Sequence, residues 1–383
     1  MLKRNRTIAN IGVGISALLL VAGEPRSAAQ DKGTHLRVTV NLVQLNVAVT
    51  DSKGNYIHGL GPENFEITED KIPQRIATFE EGNGPAVRPR QSHESTSPDE
   101  ASGAGQATPG AAPAAAPDAT PSGTAGEAAV EAPDRISAAA MASTMTGANI
   151  FILFDTSNYM YRGFVYAQDA ISDFARSMDS ASQIAFYSYS RDLSRATMLT
   201  ADRFRVVNGV RSTVAGDDAA LYNSLLMTVK DAATLTGRKA IVVFSNGPDN
   251  ASTVPPEDVA ELAQDTGTII YIVSTRLAQE DPISTAAFER MSKATGGKAY
   301  FAGTWRKEKE AFISIQDDLS HLYSVSYYPQ ANPNRGWRSI SVKLVGPGME
   351  KYHIRTRDGY RLLPPTQINT GNDLAAGPSV DQQ

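Results

Sequence analysis

The chain has 383 residues, 41% of them hydrophobic and 20% charged, and its 41 Asp and Glu against 36 Lys and Arg leave a formal net charge of −5. That length accommodates about one to three domains with a sizeable core, and mild acidity without a dense basic stripe sets aside a dedicated nucleic-acid binder. Cysteine is absent, which excludes disulfides, thiolate nucleophiles, Cys-type zinc sites, iron–sulfur clusters and Cys-linked lipid anchors.

The N-terminus has the pattern of an export signal over residues 1–30. Lys3, Arg4 and Arg6 are followed by a short apolar stretch over 8–22, then by Ser27, Ala28 and Ala29, small residues of the kind a signal peptidase reads. The stretch is shorter than the roughly 20 apolar residues of a membrane span. Cleavage before Gln30 is the leading expectation, and an uncleaved anchor is the other. Both place the bulk of the chain outside the cytoplasm, secreted or in the periplasm or cell envelope.

Residues 34–80 are expected to be β-rich. Val38, Val40, Leu42, Leu45, Val47 and Val49 alternate with other residues, and a phase slip near Val43 and Gln44 marks a candidate bulge. A turn over 51–55 precedes short strands over 65–68 and 75–79, with a turn at 69–71 between them. Residues 81–147 change character: Pro113, Pro117 and Pro121 stand among Ala, Gly, Ser and Thr. Such a segment buries too little apolar area to offset its conformational entropy and is expected to be a disordered linker.

Residues 148–330 alternate strand and helix. Asn149 opens an apolar run to Phe154, as in a strand covered on both faces. Phe164, Ile171, Phe174 and Met178 then recur at helical spacing. Further strands are expected over 183–189, 240–244, 268–273 and 323–328. Helices are marked by Leu221, Leu225 and Val229, by Val259, Leu262 and Ala263, by Phe288 and Met291, and by Phe312, Ile315, Leu319 and Leu322. The alternation implies a mostly parallel sheet flanked by helices, with ligands at the carboxyl ends of its strands. Residues 336–362 are again strand-like and are expected to pair with 34–80 into a small β-sandwich-like domain. Residues 363–383 resemble a disordered tail in composition.

The first central strand ends in Asp155, Thr156, Ser157, Asn158 and Tyr159, a carboxylate and hydroxyls at the ligand edge, which suit a hard cation. The order of elements resembles a von Willebrand factor A domain, whose metal-ion-dependent adhesion site opens with Asp-x-Ser-x-Ser. The resemblance aligns Asp155 and Ser157 with the first two ligand positions, and Tyr159 replaces the second serine. Ala219 stands where the family has a threonine ligand, with Asp217 and Asp218 just before it, and Asn246 stands where it has an aspartate. The implied site is therefore degenerate: Asp155, Ser157, Asp218 and Asn246 around a weak, water-rich Mg²⁺ or Ca²⁺. The leading reading of Asp155 and Ser157 is instead that they bond loop amides and fix the turn. The flanks, including Asn64-Phe65-Glu66-Ile67, Gly336-Trp337-Arg338 and Arg357-Asp358-Gly359-Tyr360, resemble the VWFA-related proteins abundant in Acidobacteria.

Enzyme chemistry finds little support. No glycine-rich phosphate turn follows the first central strand, Gly-x-Ser-x-Gly is missing, and none of the five histidines falls on a strand-end loop of the central region or pairs at ligand spacing. His321, beside Leu319 and Leu322, is expected to be packed or half-exposed. Tyr159 and Tyr161 are either partner anchors or caps of the sheet, tyrosine being enriched at interfaces. The function expected is an exported, non-enzymatic module that binds another extracytoplasmic protein through these loops. A structural envelope scaffold without metal-dependent binding is the alternative. Neither reading involves nucleic acid or, unless the signal is retained, a membrane span.

Overall fold

The structure is a computed structural model that describes residues 42–82, 84, 147–178, 181–276 and 280–362. The expected signal, the first residues of the N-terminal strand, nearly all of the linker and the tail lie outside the described residues.

The central layer is a six-stranded sheet built from β5 (Ala148–Asp155), β6 (Ala181–Tyr189), β7 (Leu193–Thr200), β8 (Lys239–Phe244), β9 (Ile269–Ser274) and β10 (Ala299–Phe301). The strand order is β10-β9-β8-β5-β6-β7, parallel except for the antiparallel edge strand β7. Because β5 is apolar from Ile150 to Phe154 and β8 from Ala240 to Phe244, both their faces can be covered. Alternate side chains Ile150, Ile152 and Phe154 pack under α1 (Phe164–Ser177), α2 (Arg203–Arg211) and α6 (Trp305–His321). Phe151 and Leu153 point the other way, under α3 (Leu221–Ala233), α4 (Pro256–Thr266) and α5 (Pro282–Ala294). The fold class is thus the expected one, a mostly parallel sheet with helices on both faces, joined by antiparallel sheets from the flanking segments.

Those flanking strands are β1 (Val43–Thr50), β2 (Phe65–Glu69), β3 (Ile72–Gln74) and β4 (Ile76–Glu81), with β11 (Tyr323–Tyr327), β12 (Trp337–Leu344), β13 (His353–Arg355) and β14 (Gly359–Arg361). They form two four-stranded sheets, β13-β1-β11-β4 and β14-β12-β2-β3. Segments from both ends of the sequence share one core of Leu45, Val47, Phe65, Ile67, Phe79, Tyr323, Val325 and Tyr360. Two expectations need correction. Strand β11 follows α6 directly, yet it lies between β1 and β4 and pairs antiparallel with both, outside the parallel sheet. Its tyrosines find hydroxyl partners there. The slip read near Val43 is not a bulge in the β1–β11 ladder, whose register runs unbroken from Val43 to Val47; the irregularity falls between Ser326 and Tyr327 against β4.

A buried carboxylate organises the second antiparallel sheet. Glu69 accepts hydrogen bonds from Arg338 Nη1 at 2.8 Å and from the hydroxyls of Tyr327 and Tyr360 at 2.9 Å each. Next to it, Asp70 and Lys71 turn the chain from β2 to β3 with φ of 48° and 67°, the left-handed pair that a two-residue hairpin turn needs. The Asp70 carboxylate accepts from Asn332 Nδ2 at 2.9 Å, Asn334 Nδ2 at 2.8 Å, and the Ser339 amide and hydroxyl at 2.9 and 3.0 Å. These donors, Asn332 first, hold its carboxyl down at about 2. A folded value below the ordinary 3.8 stabilises the fold above about pH 4, and that contribution is lost as pH falls through about 2. Denaturant midpoints between pH 4 and pH 2 should therefore fall less steeply in Asp70→Asn than in the parent chain. Equal slopes would remove Asp70 from the acid response.

Candidate functional site

The chain runs outward from β5 to β6 and β7, then returns to β8 on the other side of β5. Strand order therefore reverses between β5 and β8, the place where open α/β sheets form a crevice at their carboxyl ends. Asp155 ends β5, and Ser245 and Asn246 follow β8.

Asp155 is buried. Its Oδ1 accepts from the Ser157 amide at 2.9 Å and its Oδ2 from Ser245 Oγ at 2.8 Å, while Tyr189 donates its hydroxyl to Ser245 Oγ at 3.0 Å. Burial pushes the Asp155 carboxyl up, and the bonds from Ser157, Ser245 and Tyr189 oppose that. Two buried oxygens on the same lip lack partners. Ser157 Oγ stands near the carboxylate without reaching hydrogen-bond geometry, and Asn246 Oδ1 accepts nothing, although Asn246 Nδ2 donates to the Tyr159 carbonyl at 2.9 Å. Buried polar atoms nearly always find partners, so these two are the feature of the lip that most needs explanation.

The loop before α3 closes the other side. The Asn158 amide donates to the Asp217 carbonyl at 2.8 Å, the Gly216 amide to the Thr156 carbonyl at 2.7 Å, and Tyr161 hydroxyl to the Gly216 carbonyl at 3.0 Å. Asp218 is engaged elsewhere on this loop. Its carboxylate is clasped by the Arg191 guanidinium and accepts from Asn250 Nδ2 at 3.3 Å. The Arg191 bonds hold its carboxyl below the usual carboxylate range. Asp249 caps α3 by accepting from the Tyr222 amide at 3.0 Å.

Four expected metal-site residues therefore divide. Asp155, Ser157 and Asn246 share the β5–β8 lip, and Asp218 is committed to Arg191. Among the described residues, no group of three or more His, Asp or Glu is arranged to hold a metal. A single buried carboxylate with a hydroxyl and an amide oxygen still fits a cation that keeps several waters, since magnesium is usually held by one or two carboxylates. Asp155, Ser157 and Asn246 would hold such an ion, which would supply positive charge for a partner's oxygen. Of the two tyrosines, Tyr159 is partly buried against the second core, whereas Tyr161 is 52% exposed. Val165, Tyr166 and Val214 are exposed as well. The bonds from Gln168 Nε2 to the Val210 and Thr213 carbonyls and from Tyr161 to Gly216 bring their segments together. Ser245, which directly precedes Asn246, was not singled out along the sequence, and Arg191 and Val214 carry no signal there.

Fold and site together define a doubly wound α/β domain with an oxygen-lined strand-end lip. No protein-family model matches the chain, and no curated protein matches it. Solved structures share partial similarity. An aerotolerance-related membrane protein from Bacteroides fragilis is 15% identical over 45% of this chain and 98% of its own, with a TM-score of 0.39. The vWF domain of the type V pili tip protein Mfa5 from Porphyromonas gingivalis is 14% identical over 45% and 94%, with a TM-score of 0.37. A von Willebrand factor type A protein from Catenulispora acidiphila is 11% identical over 55% and 66%, with a TM-score of 0.38. Against the longer, three-domain N-terminal portion of Mfa5 the chain spans only 20% of the length. No helix among the described residues is long and apolar enough to cross a membrane.

Proposed function

We propose that this chain is an exported, non-enzymatic protein-binding module of the von Willebrand A type, akin to the VWFA-related proteins of Acidobacteria. It takes an extracytoplasmic protein partner at the carboxyl edge of its parallel sheet. The observation that carries this reading is the pair of unpartnered buried oxygens, Ser157 Oγ and Asn246 Oδ1, beside the buried Asp155 carboxylate. A hard cation satisfies all three, and its open positions accept an oxygen from the partner. Tyr161, at the rim, supplies an aromatic anchor of the kind enriched at interface hot spots. Calorimetric titration with Mg²⁺ and Ca²⁺ should give binding heat that Asp155→Ala abolishes. Crosslinking in the native envelope should capture a partner that Ser157→Ala and Tyr161→Ala each weaken about tenfold, the effect of roughly 1.4 kcal/mol. Capture unchanged by both substitutions would sink the assignment of this edge.

One observation favours a scaffold instead. Both Asp155 oxygens already accept protein hydrogen bonds, and Asp218 is engaged by Arg191. In that case the titrations stay silent and Asp155→Ala costs stability alone.

A further inference from the structure

We propose that His58 and His321 form a binding site for a divalent transition metal such as zinc, outside the strand-end lip. The two residues lie far apart in sequence, yet their rings meet with centroids 4.7 Å apart and planes inclined at 66°. Two imidazoles on one tetrahedral zinc, with nitrogens about 2.0–2.1 Å from the ion, place their centroids roughly 5 Å apart. The rings already stand near that spacing.

Each ring is held through Nδ1. His58 Nδ1 lies 3.3 Å from Glu81 Oε1, and His321 Nδ1 lies 2.6 Å from the Asp317 carbonyl and 3.1 Å from its Oδ1. A carboxylate or carbonyl on one nitrogen is the usual outer partner of a metal-binding histidine, orienting the ring and leaving the second nitrogen for the ion. Here that second nitrogen is Nε2 in both. The outer partners are themselves secured: Glu81 accepts from the Gly59 amide at 3.0 Å and from Tyr323 hydroxyl at 3.3 Å. Tyr56 stacks on His321 at 5.2 Å while its hydroxyl bonds Asp318 at 2.5 Å. Both histidine side chains are partly exposed, so water can complete the coordination. Two imidazoles select zinc, nickel or copper, whereas magnesium and calcium prefer oxygen. A bound ion would tie the loop after β1 to the end of α6.

Thermal unfolding of the full chain with added Zn²⁺ tests this. An ion that binds only the folded chain should raise the midpoint on the order of 2–4 °C once it exceeds its dissociation constant several-fold. In Asp155→Ala, which lacks the strand-end carboxylate, Mg²⁺ should not reproduce the shift. His58→Ala and His321→Ala should each abolish it, with circular dichroism confirming the fold, while His353→Ala, an exposed histidine on β13, and Asp155→Ala should keep it. No zinc shift in the parent chain, or a full shift surviving in either His58→Ala or His321→Ala, overturns the proposal.

Discussion

Asp318→Ala should lower the unfolding free energy by about 3–5 kcal/mol, the loss expected when one member of a buried ion pair is removed. Asp318 lies on α6, has no exposed side-chain surface, and accepts from Tyr56 hydroxyl at 2.5 Å, Tyr271 hydroxyl at 2.6 Å and Arg355 Nη2 at 2.5 Å. Lys298 Nζ is 3.9 Å away. Its donors come from the loop after β1, from β9 and from β13, so one carboxylate joins the parallel sheet to the antiparallel layer. Alanine would strand the Arg355 guanidinium without its counter-charge, because its remaining bond is to the Gly296 carbonyl. Two companion variants separate charge from packing. Asp318→Asn keeps one acceptor oxygen and should lose less. Combining Asp318→Ala with Arg355→Met removes both charges and should recover part of the loss. Urea midpoints at constant slope measure each. A loss below about 1 kcal/mol in Asp318→Ala would show that the junction stands on apolar packing instead.

Asn246→Asp should behave oppositely with and without a cation. Asn246 Nδ2 now donates to the Tyr159 carbonyl. A carboxylate has no such donor and would set two oxygens against each other beside the buried Asp155, at a cost of about 1–3 kcal/mol. Mg²⁺ or Ca²⁺ should repay that loss, since a second carboxylate on the lip is what a hard cation prefers. Cation affinity should rise at least about tenfold over the parent chain, equivalent to about 1.4 kcal/mol. Thermal unfolding with and without Mg²⁺, paired with calorimetry, reads both effects. A variant whose stability ignores the cation would show that residue 246 does not face an ion.

Much of the core architecture can be read along the chain. The apolar runs that became β5, β8 and β9 are recognisable because a strand covered on both faces needs apolar residues at every position. The amphipathic spacing of α1, α3, α4 and α6 is equally plain, because each helix buries one face only. β7 and α2 escaped notice. As an edge strand, β7 is mostly exposed, and α2 is only nine residues long, with Val206, Val207 and Val210 as its buried apolar residues, so neither extends far enough to show the periodicity on which such reading depends. At the lip, Asp155 and Ser157 were legible through local pattern at the end of a strand, and Asn246 only through the resemblance to the von Willebrand A motif.

What the linear sequence determined by itself is the set of surfaces that must leave water, and hence the doubly wound layer and the edge at which its strands end. Only the tertiary structure decided that β11 leaves the parallel sheet for the antiparallel one and that Asp218 turns to Arg191. It alone also brought Tyr56, Tyr271 and Arg355 onto Asp318, and His58 against His321. Burial is a property of one residue and its near neighbours, so periodicity reveals it. A hydrogen bond or ion pair depends on two groups meeting at about 3 Å with the right angle, and nothing in the local pattern around one partner specifies the distant residue that will satisfy it.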